Sequence, residues 1–229
     1  AIALDLARRG VDVAFNYFRS DSAAMETQSE IEALGVRSLR IRSNIADPSK
    51  LEDIFGTVQK EFGRLDILVN NAASGVQRSA SELTEKHWDW TMNVNAKAAW
   101  LCSIEASKLM AQGGSIVNIT SQGSTKVLPN YFSVGTSKAA LEAVTRYLAV
   151  ELAPKDISVN AVSGGYVETG ALDHFPNREE MLEAGQQTVT GQMVGADDIA
   201  RVVAFLCSPD AAMIRGQIIV VDGGVSLKA

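Results

Sequence analysis

The chain has 229 residues, 46% of them apolar and 21% charged, an ordinary globular balance with enough length to bury a sizeable core. Its net charge of −6 argues against nucleic acid as the main partner, because such a binding face is basic. No signal peptide is visible and no apolar run approaches the ~20 residues needed to cross a bilayer, so a cytoplasmic protein with no membrane partner is expected.

Ala1 to Ala7 reads as a helix closed at Gly10, a glycine C-cap. Val11 to Tyr17 is β-rich, Ser22 to Leu34 is helical up to Gly35, and Val36 to Arg42 reads as a strand. Pro48 to Phe62 predicts a helix with Asp47 as N-cap and Pro48 in its first position. Leu65 to Asn70 is a short buried strand. Thr84 to Met110 predicts a long helix, broken by Gly113-Gly114, and Ser115 to Thr120 another strand. Asn130 to Leu152 predicts a second long helix, stopped by Pro154. Ile157 to Val162 is a strand, and the stretch from Gly164 to Gly195 is irregular with short helical pieces. Ala196 to Cys207 is a helix, and Gln217 to Val221 the last strand. Cys102 and Cys207 lie in apolar helical text without metal-ligand spacing. They read as two buried, reduced thiols, and no metal site is expected.

Strands alternating with helices imply βαβ units and a parallel sheet covered on both faces. The predicted fold is one α/β domain over residues 1–229, a doubly wound, Rossmann-type parallel sheet with a ligand at the carboxyl ends of its strands.

Five patterns occur in order: Asn70-Asn71-Ala72-Ala73 after a strand, Asn95 in the first long helix, Ser121 after the next strand, a Tyr and a Lys on the second long helix, and Val221-Asp222-Gly223-Gly224 near the end. Together they resemble the short-chain dehydrogenase/reductase family along the whole chain. The resemblance implies a glycine-rich turn ahead of the first helix, seating the cofactor pyrophosphate on the helix N-terminus. That turn is not in the sequence. Without the strand before it, two ladders in the middle of the sheet would lack a partner, so about 20 residues carrying them are expected ahead of Ala1.

NAD-specific relatives carry an acid after the second strand to bind the ribose 2′-hydroxyl. Asn16-Tyr17-Phe18-Arg19-Ser20 has none, and offers a guanidinium and a hydroxyl to a 2′-phosphate. The cofactor expected is NADPH, with Arg19 and Ser20 at its phosphate. By the same resemblance Asn44 and Ile45 border the adenine. Asn71, Ala72, Ala73 and Ile119 line the ribose and the spine of the cofactor, and Gly165, Val167 and Thr169 meet the carboxamide and phosphates. Read alone, Arg19 is a surface arginine and Asn71 to Ala73 are turn and packing residues.

Most of the family uses Tyr-x-x-x-Lys, but four residues before Lys138 stands Val134. The nearest tyrosine is Tyr131, giving Tyr-x6-Lys within Leu128 to Ala140, which resembles the enoyl-acyl-carrier-protein reductases. His87-Trp88-Asp89-Trp90 and Val162-Ser163-Gly164-Gly165 point to their NADPH-using reductase III group. Seven helical steps return within roughly 20° of one face and span about 10.5 Å, against about 6 Å for four steps. An enoyl thioester takes hydride at C3 while charge develops on the C1 oxygen, so a proton donor further along the helix suits it.

The resemblance thus implies Tyr131 as donor to the enolate oxygen and Lys138 at the nicotinamide ribose, its charge favouring a phenolate-like Tyr. Ser121 would be a supporting hydroxyl, or simply a strand-end cap. Asn95 would kink its helix and anchor a water, with Asn93 as competitor. A lid is expected at about 170–193, where Phe175, Met181 and Met193 line an acyl channel or pack as core. The implied partner is an enoyl thioester on acyl carrier protein, with the two long helices pairing subunits into a homotetramer or homodimer. Two alternatives stay open: a ketone or alcohol oxidoreductase, and a silent NADP-binding scaffold.

Overall fold

The computed structural model describes residues 1–167 and 178–228. Helix α1 (Ile2–Arg8) leads into strand β1 (Val13–Tyr17), helix α2 (Asp21–Ala33) and strand β2 (Ser38–Arg42). A short 3-10 turn at Pro48–Lys50 feeds α3 (Leu51–Phe62), then β3 (Ile67–Asn70), α4 (Glu85–Met92) and α5 (Ala98–Leu109). Strand β4 (Gly114–Ser121), α6 (Phe132–Glu151), β5 (Ile157–Gly164), α7 (Arg178–Gln186), α8 (Ala196–Leu206) and β6 (Ile218–Val221) complete the order. The sequence reading places these elements to within a few residues.

Local chemistry explains the boundaries. Asp47 caps the turn at Pro48 by accepting from the Ser49 N–H. In α3 the buried residues are Leu51, Ile54, Phe55 and Val58, the i, i+3, i+4, i+7 stripe of an amphipathic helix, and Gly63 closes it at φ 77°. The long helix expected from Thr84 is interrupted: α4 and α5 are joined by a π-helical turn at Asn93–Lys97.

All strand pairs are parallel. Strands β3-β4-β5-β6 form one ladder and β1-β2 another. Strand β5 is buried from Ile157 to Ser163, the signature of a strand covered on both faces. On one face α3, α5 and α6 pack Phe55, Ala106 and Leu148 against Ile116 and Val159. On the other, α8 packs Ile199, Val203 and Leu206 against Val117 and Val162. Strands β1 and β3 are not hydrogen-bonded to each other. They flank a cavity of about 770 Å³ that Val13, Phe15, Ile67 and Val69 help to line. No described helix is long and apolar enough to cross a membrane.

Candidate active site

The cavity continues to the carboxyl ends of β3, β4 and β5, where it is lined by Asn71 and Ala72, by Ser121 and Gln122, and by Gly165 and Val167. Ile45, Ile119 and Tyr131 also face it. Parallel register sets the ends of β4, β5 and β6 in one row, Ser121 beside Gly164 and Gly164 beside Val221. A crevice at the carboxyl ends of parallel strands is where such folds bind ligands.

Tyr131 stands one residue ahead of α6 rather than inside it: it is the N-cap, with φ −106° and ψ 14°. The positive φ of Asn130 turns the chain into that position. The Tyr131 carbonyl accepts the first helical bond, from the Gly135 N–H at 2.7 Å, so its backbone still starts the helical row that contains Lys138. Its hydroxyl lies 3.5 Å from the Ser121 hydroxyl. The ring gets there by crossing Gly123, where a Cβ would stand 2.5 Å from Tyr131 Cε1. Val134 is buried, and a side chain on Gly75 would collide with it. The position four before the lysine is therefore filled by apolar packing. Burial pushes the Tyr131 phenol above its usual range, opposed only by the Ser121 hydrogen bond. A raised proton affinity of this kind holds the phenol protonated.

Lys138 is 5% exposed and donates to the Ile119 carbonyl at 2.8 Å. Desolvation pushes its ammonium down to about 8. One turn further on, the buried Glu142 accepts from Thr120 Oγ1 at 2.9 Å, tying α6 to β4. Asn95 is wholly engaged: Oδ1 accepts from the Ser74 N–H, while Nδ2 donates to the Ser74 carbonyl and to Ser137 Oγ. Trp90 Nε1 donates to Ser74 Oγ at 2.7 Å. The π-helical turn lets α4 deliver Trp90 and α5 bury Ala99 while Asn95 sits between them. Asn95, not Asn93, is the buried member of the pair.

Below the crevice, Asn70 Nδ2 donates to Asn118 Oδ1 and Asn118 Nδ2 to Thr145 Oγ1, a polar chain that runs from the half-buried Asn70 of β3 through β4 to α6. The Asn70 of the four-residue pattern is thus a strut under the site.

At the other end, Arg19 and Ser20 are exposed between β1 and α2. Arg19 lies over the Phe18 ring and makes no ion pair among the described residues. Asp21, one residue beyond the stretch read as acid-free, is an acid at this strand end. It accepts from the Tyr17 hydroxyl and from Arg40, and with Arg42 nearby it is held below the usual carboxylate range, first by the Tyr17 bond. Asn44 folds back to accept from the Ala46 N–H, and Ala73 follows Ala72 in the loop after β3. Thr169 and Phe175 lie outside the described residues; Met181 lines the cavity and Met193 packs against Gly185.

Sequence reasoning passed over Gly123, Gln122 and Asp222 as site residues. A glycine two positions after the strand-end serine was the available sign of a close ring approach. The Gln122–Asp222 bond joins positions 100 residues apart and left no local pattern. Both cysteines are free, and no metal-binding cluster occurs among the described residues.

The family model described as Enoyl-(Acyl carrier protein) reductase matches residues 1–226. The chain is 36% identical to 1-cyclohexenylcarbonyl-CoA reductase of Streptomyces collinus, over all of this chain and 82% of that protein. Among solved structures it resembles acetoin dehydrogenase of Enterobacter cloacae, at 33% identity and TM-score 0.88 over 100% of this chain and 90% of that one. It also resembles a 7α-hydroxysteroid dehydrogenase complexed with NADH and 7-oxo-glycochenodeoxycholic acid, at 30% identity and TM-score 0.92, covering 97% of this chain and 88% of that one. With its parallel sheet, its row of strand-end residues and these relatives, the chain belongs to the short-chain dehydrogenase/reductase family, oxidoreductases that use nicotinamide cofactors.

Proposed function

We propose that this chain reduces trans-2-enoyl thioesters on acyl carrier protein to saturated acyl thioesters, with NADPH, in fatty acid synthesis. The observation that carries the reading is the proton donor. The position four before Lys138 is the buried, protonless Val134, and the only phenol near Ser121 and Lys138 in sequence is Tyr131, displaced to the helix start with its hydroxyl in the crevice. The Streptomyces collinus relative supports this, since its name describes a ring alkene conjugated to a thioester.

The residues present fit a nicotinamide dinucleotide. Lys138 is a buried ammonium with a single carbonyl partner and two further donors, suited to ribose hydroxyls. The crevice wall is backbone and small residues at Asn71, Ala72, Gly165 and Val167, which lets a flat ligand come close. Arg19, Ser20 and Arg42 stand at the adenosine end for a 2′-phosphate, Asn44 and Ile45 border the adenine, and Ala73 and Ile119 complete the described lining. When bound, the reduced nicotinamide supplies hydride.

Tyr131 donates its proton to the thioester oxygen as negative charge gathers there, and the resulting enol gives that proton up to solvent as C2 takes one, leaving the saturated thioester. Burial of Tyr131 keeps the phenol protonated until the charge develops. Ser121 offers a second hydroxyl to the same oxygen. Asn95 is a positioning residue, holding the Ser74 loop and Ser137 of α6 together behind the tyrosine. The described residues 178–193, with Met181 in the cavity wall, cover the acyl group. The exposed Trp100, Tyr147 and Val150 on α5 and α6 suit pairing of subunits into a homodimer or homotetramer. Two free thiols agree with a cytoplasmic setting.

A second reading, carbonyl reduction, is favoured by the Ser121–Tyr131 hydroxyl pair and by the acetoin and hydroxysteroid relatives. Loss of NADPH absorbance decides between them. Oxidation with crotonyl but not acetoacetyl thioester is expected, and the reverse result would replace the proposal with carbonyl reduction. Running the crotonyl group on coenzyme A and on acyl carrier protein separates the carriers, with faster turnover on the protein expected. Neither substrate reacting would leave a silent nucleotide-binding scaffold.

A further inference from the structure

Three strand ends meet above Gly165. Gln122 follows β4, Gly165 follows β5 and Asp222 follows β6, all in one row. Gln122 Nε2 donates to Asp222 Oδ2 at 3.0 Å, so the bond spans the end of β5. It crosses there because Gly165 has no side chain: a Cβ would stand 2.8 Å from Asp222 Cβ and 3.4 Å from Gln122 Nε2. Asp222 is itself buried and fixed, with Oδ1 accepting from the Gly224 N–H and Oδ2 from the Ser226 N–H, both at 2.9 Å. An acceptor-only carboxylate dictates which end of the amide it meets, so Nε2 is turned to Asp222. The Gln122 side-chain oxygen, Oε1, then has no hydrogen-bond partner among the described residues.

This amide stands at one end of the crevice. The cavity is lined by residues that follow β3, β4 and β5, Gln122 among them, but by none of β6 and not by Asp222. The β3 side is the nucleotide side. An acyl group whose thioester oxygen meets Tyr131 and Ser121 shares its part of the cavity with Gln122, Tyr166 and Met181.

We infer that Gln122, held across Gly165 by Asp222, is a specificity-determining residue that ends the acyl side of the crevice and confines substrates to short or compact acyl groups. The inference rests on the enoyl-thioester reading. A long alkyl chain running toward β6 has two courses. It displaces the amide and breaks a hydrogen bond to a buried carboxylate, or it lies against the unpaired amide oxygen and strips it of water. A crotonyl group or a compact ring needs neither.

The test is kcat/KM for crotonyl and trans-2-dodecenoyl thioesters on one carrier, in the wild type and in Gln122→Met and Gln122→Ala. The wild type is expected to prefer crotonyl. Gln122→Met keeps the length and removes the amide, and Gln122→Ala opens the end wall. Each is expected to raise the dodecenoyl-to-crotonyl ratio by about tenfold or more. A wild type that prefers dodecenoyl, or an active enzyme whose ratio moves in neither variant, overturns the inference alone. An equal loss on both substrates makes Gln122 a structural tie and overturns it too. No enoyl turnover by the wild type removes the enoyl-thioester reading, and this inference with it.

Discussion

At the β4–β5 end of the crevice, Lys138 and Asn95 are buried and Tyr131 is half-buried, and contacts from β4, α6 and the loop after β3 hold them. At the β1–β2 end, Arg19 and Arg42 are exposed, and the one acid among them, Asp21, is already taken by Tyr17 and Arg40. The first end fixes geometry and shifts proton affinities by excluding water. The second works through mobile, hydrated charges, which salt screens. A change at the first end is therefore expected to alter turnover, and a change at the second to alter which nucleotide binds and how tightly.

The hardest blow to that contrast is Tyr131→Phe. It is expected to lower turnover about 10²-fold or more while NADPH affinity, measured by fluorescence titration, stays close to wild type. An unchanged rate would take the phenol out of the chemistry. Gly123→Ala probes the same geometry indirectly. Its Cβ forces the Tyr131 ring aside, and a loss of about tenfold to a hundredfold in kcat is expected with little change in nucleotide affinity.

Lys138 gives a pH signature with two limbs of opposite sign. Its ammonium titrates at about 8 in the folded chain against an ordinary 10.5. Activity that needs the cation is expected to fall as pH rises through about 8. The unfolded chain holds that proton longer, so this group's handicap to folding is full below about pH 8 and lifts between there and 10.5. Denaturant midpoints followed against pH alongside kcat/KM test both limbs. Limbs that move together would remove Lys138 as the shared cause.

The mildest expected effect lies at the surface. Arg19→Ala is expected to weaken NADPH about five- to tenfold and leave NADH nearly untouched, with the gap narrowing as salt is added. Equal loss of both nucleotides would mean that Arg19 does not read the 2′-phosphate.

The alternation of strands and helices, the caps and the strand-end residues were all legible in the sequence because each is local: a stripe in α3, a Pro after Asp47, a glycine at a helix end. Tyr131 and Lys138 were legible as a spacing, but the helix start was not. A residue at an N-cap keeps helical spacing while its side chain leaves from a non-helical backbone, and sequence periodicity does not separate the two cases. The tie of Gln122 to Asp222 and the strut from Asn70 through Asn118 to Thr145 were invisible because their members lie far apart in the chain and come together only when strands align.

The five residues Asn93–Lys97 carry a further consequence. A wide turn of this kind amounts to one extra residue let into an α-helix, and each residue advances the helix by about 100°. The phase of α5 relative to α4 is therefore set by chain length across that turn and not by any single side chain there. Deleting one residue would join the two helices smoothly and rotate Cys102 and Ala106 out of their shared core, so this stretch tolerates replacement far better than shortening.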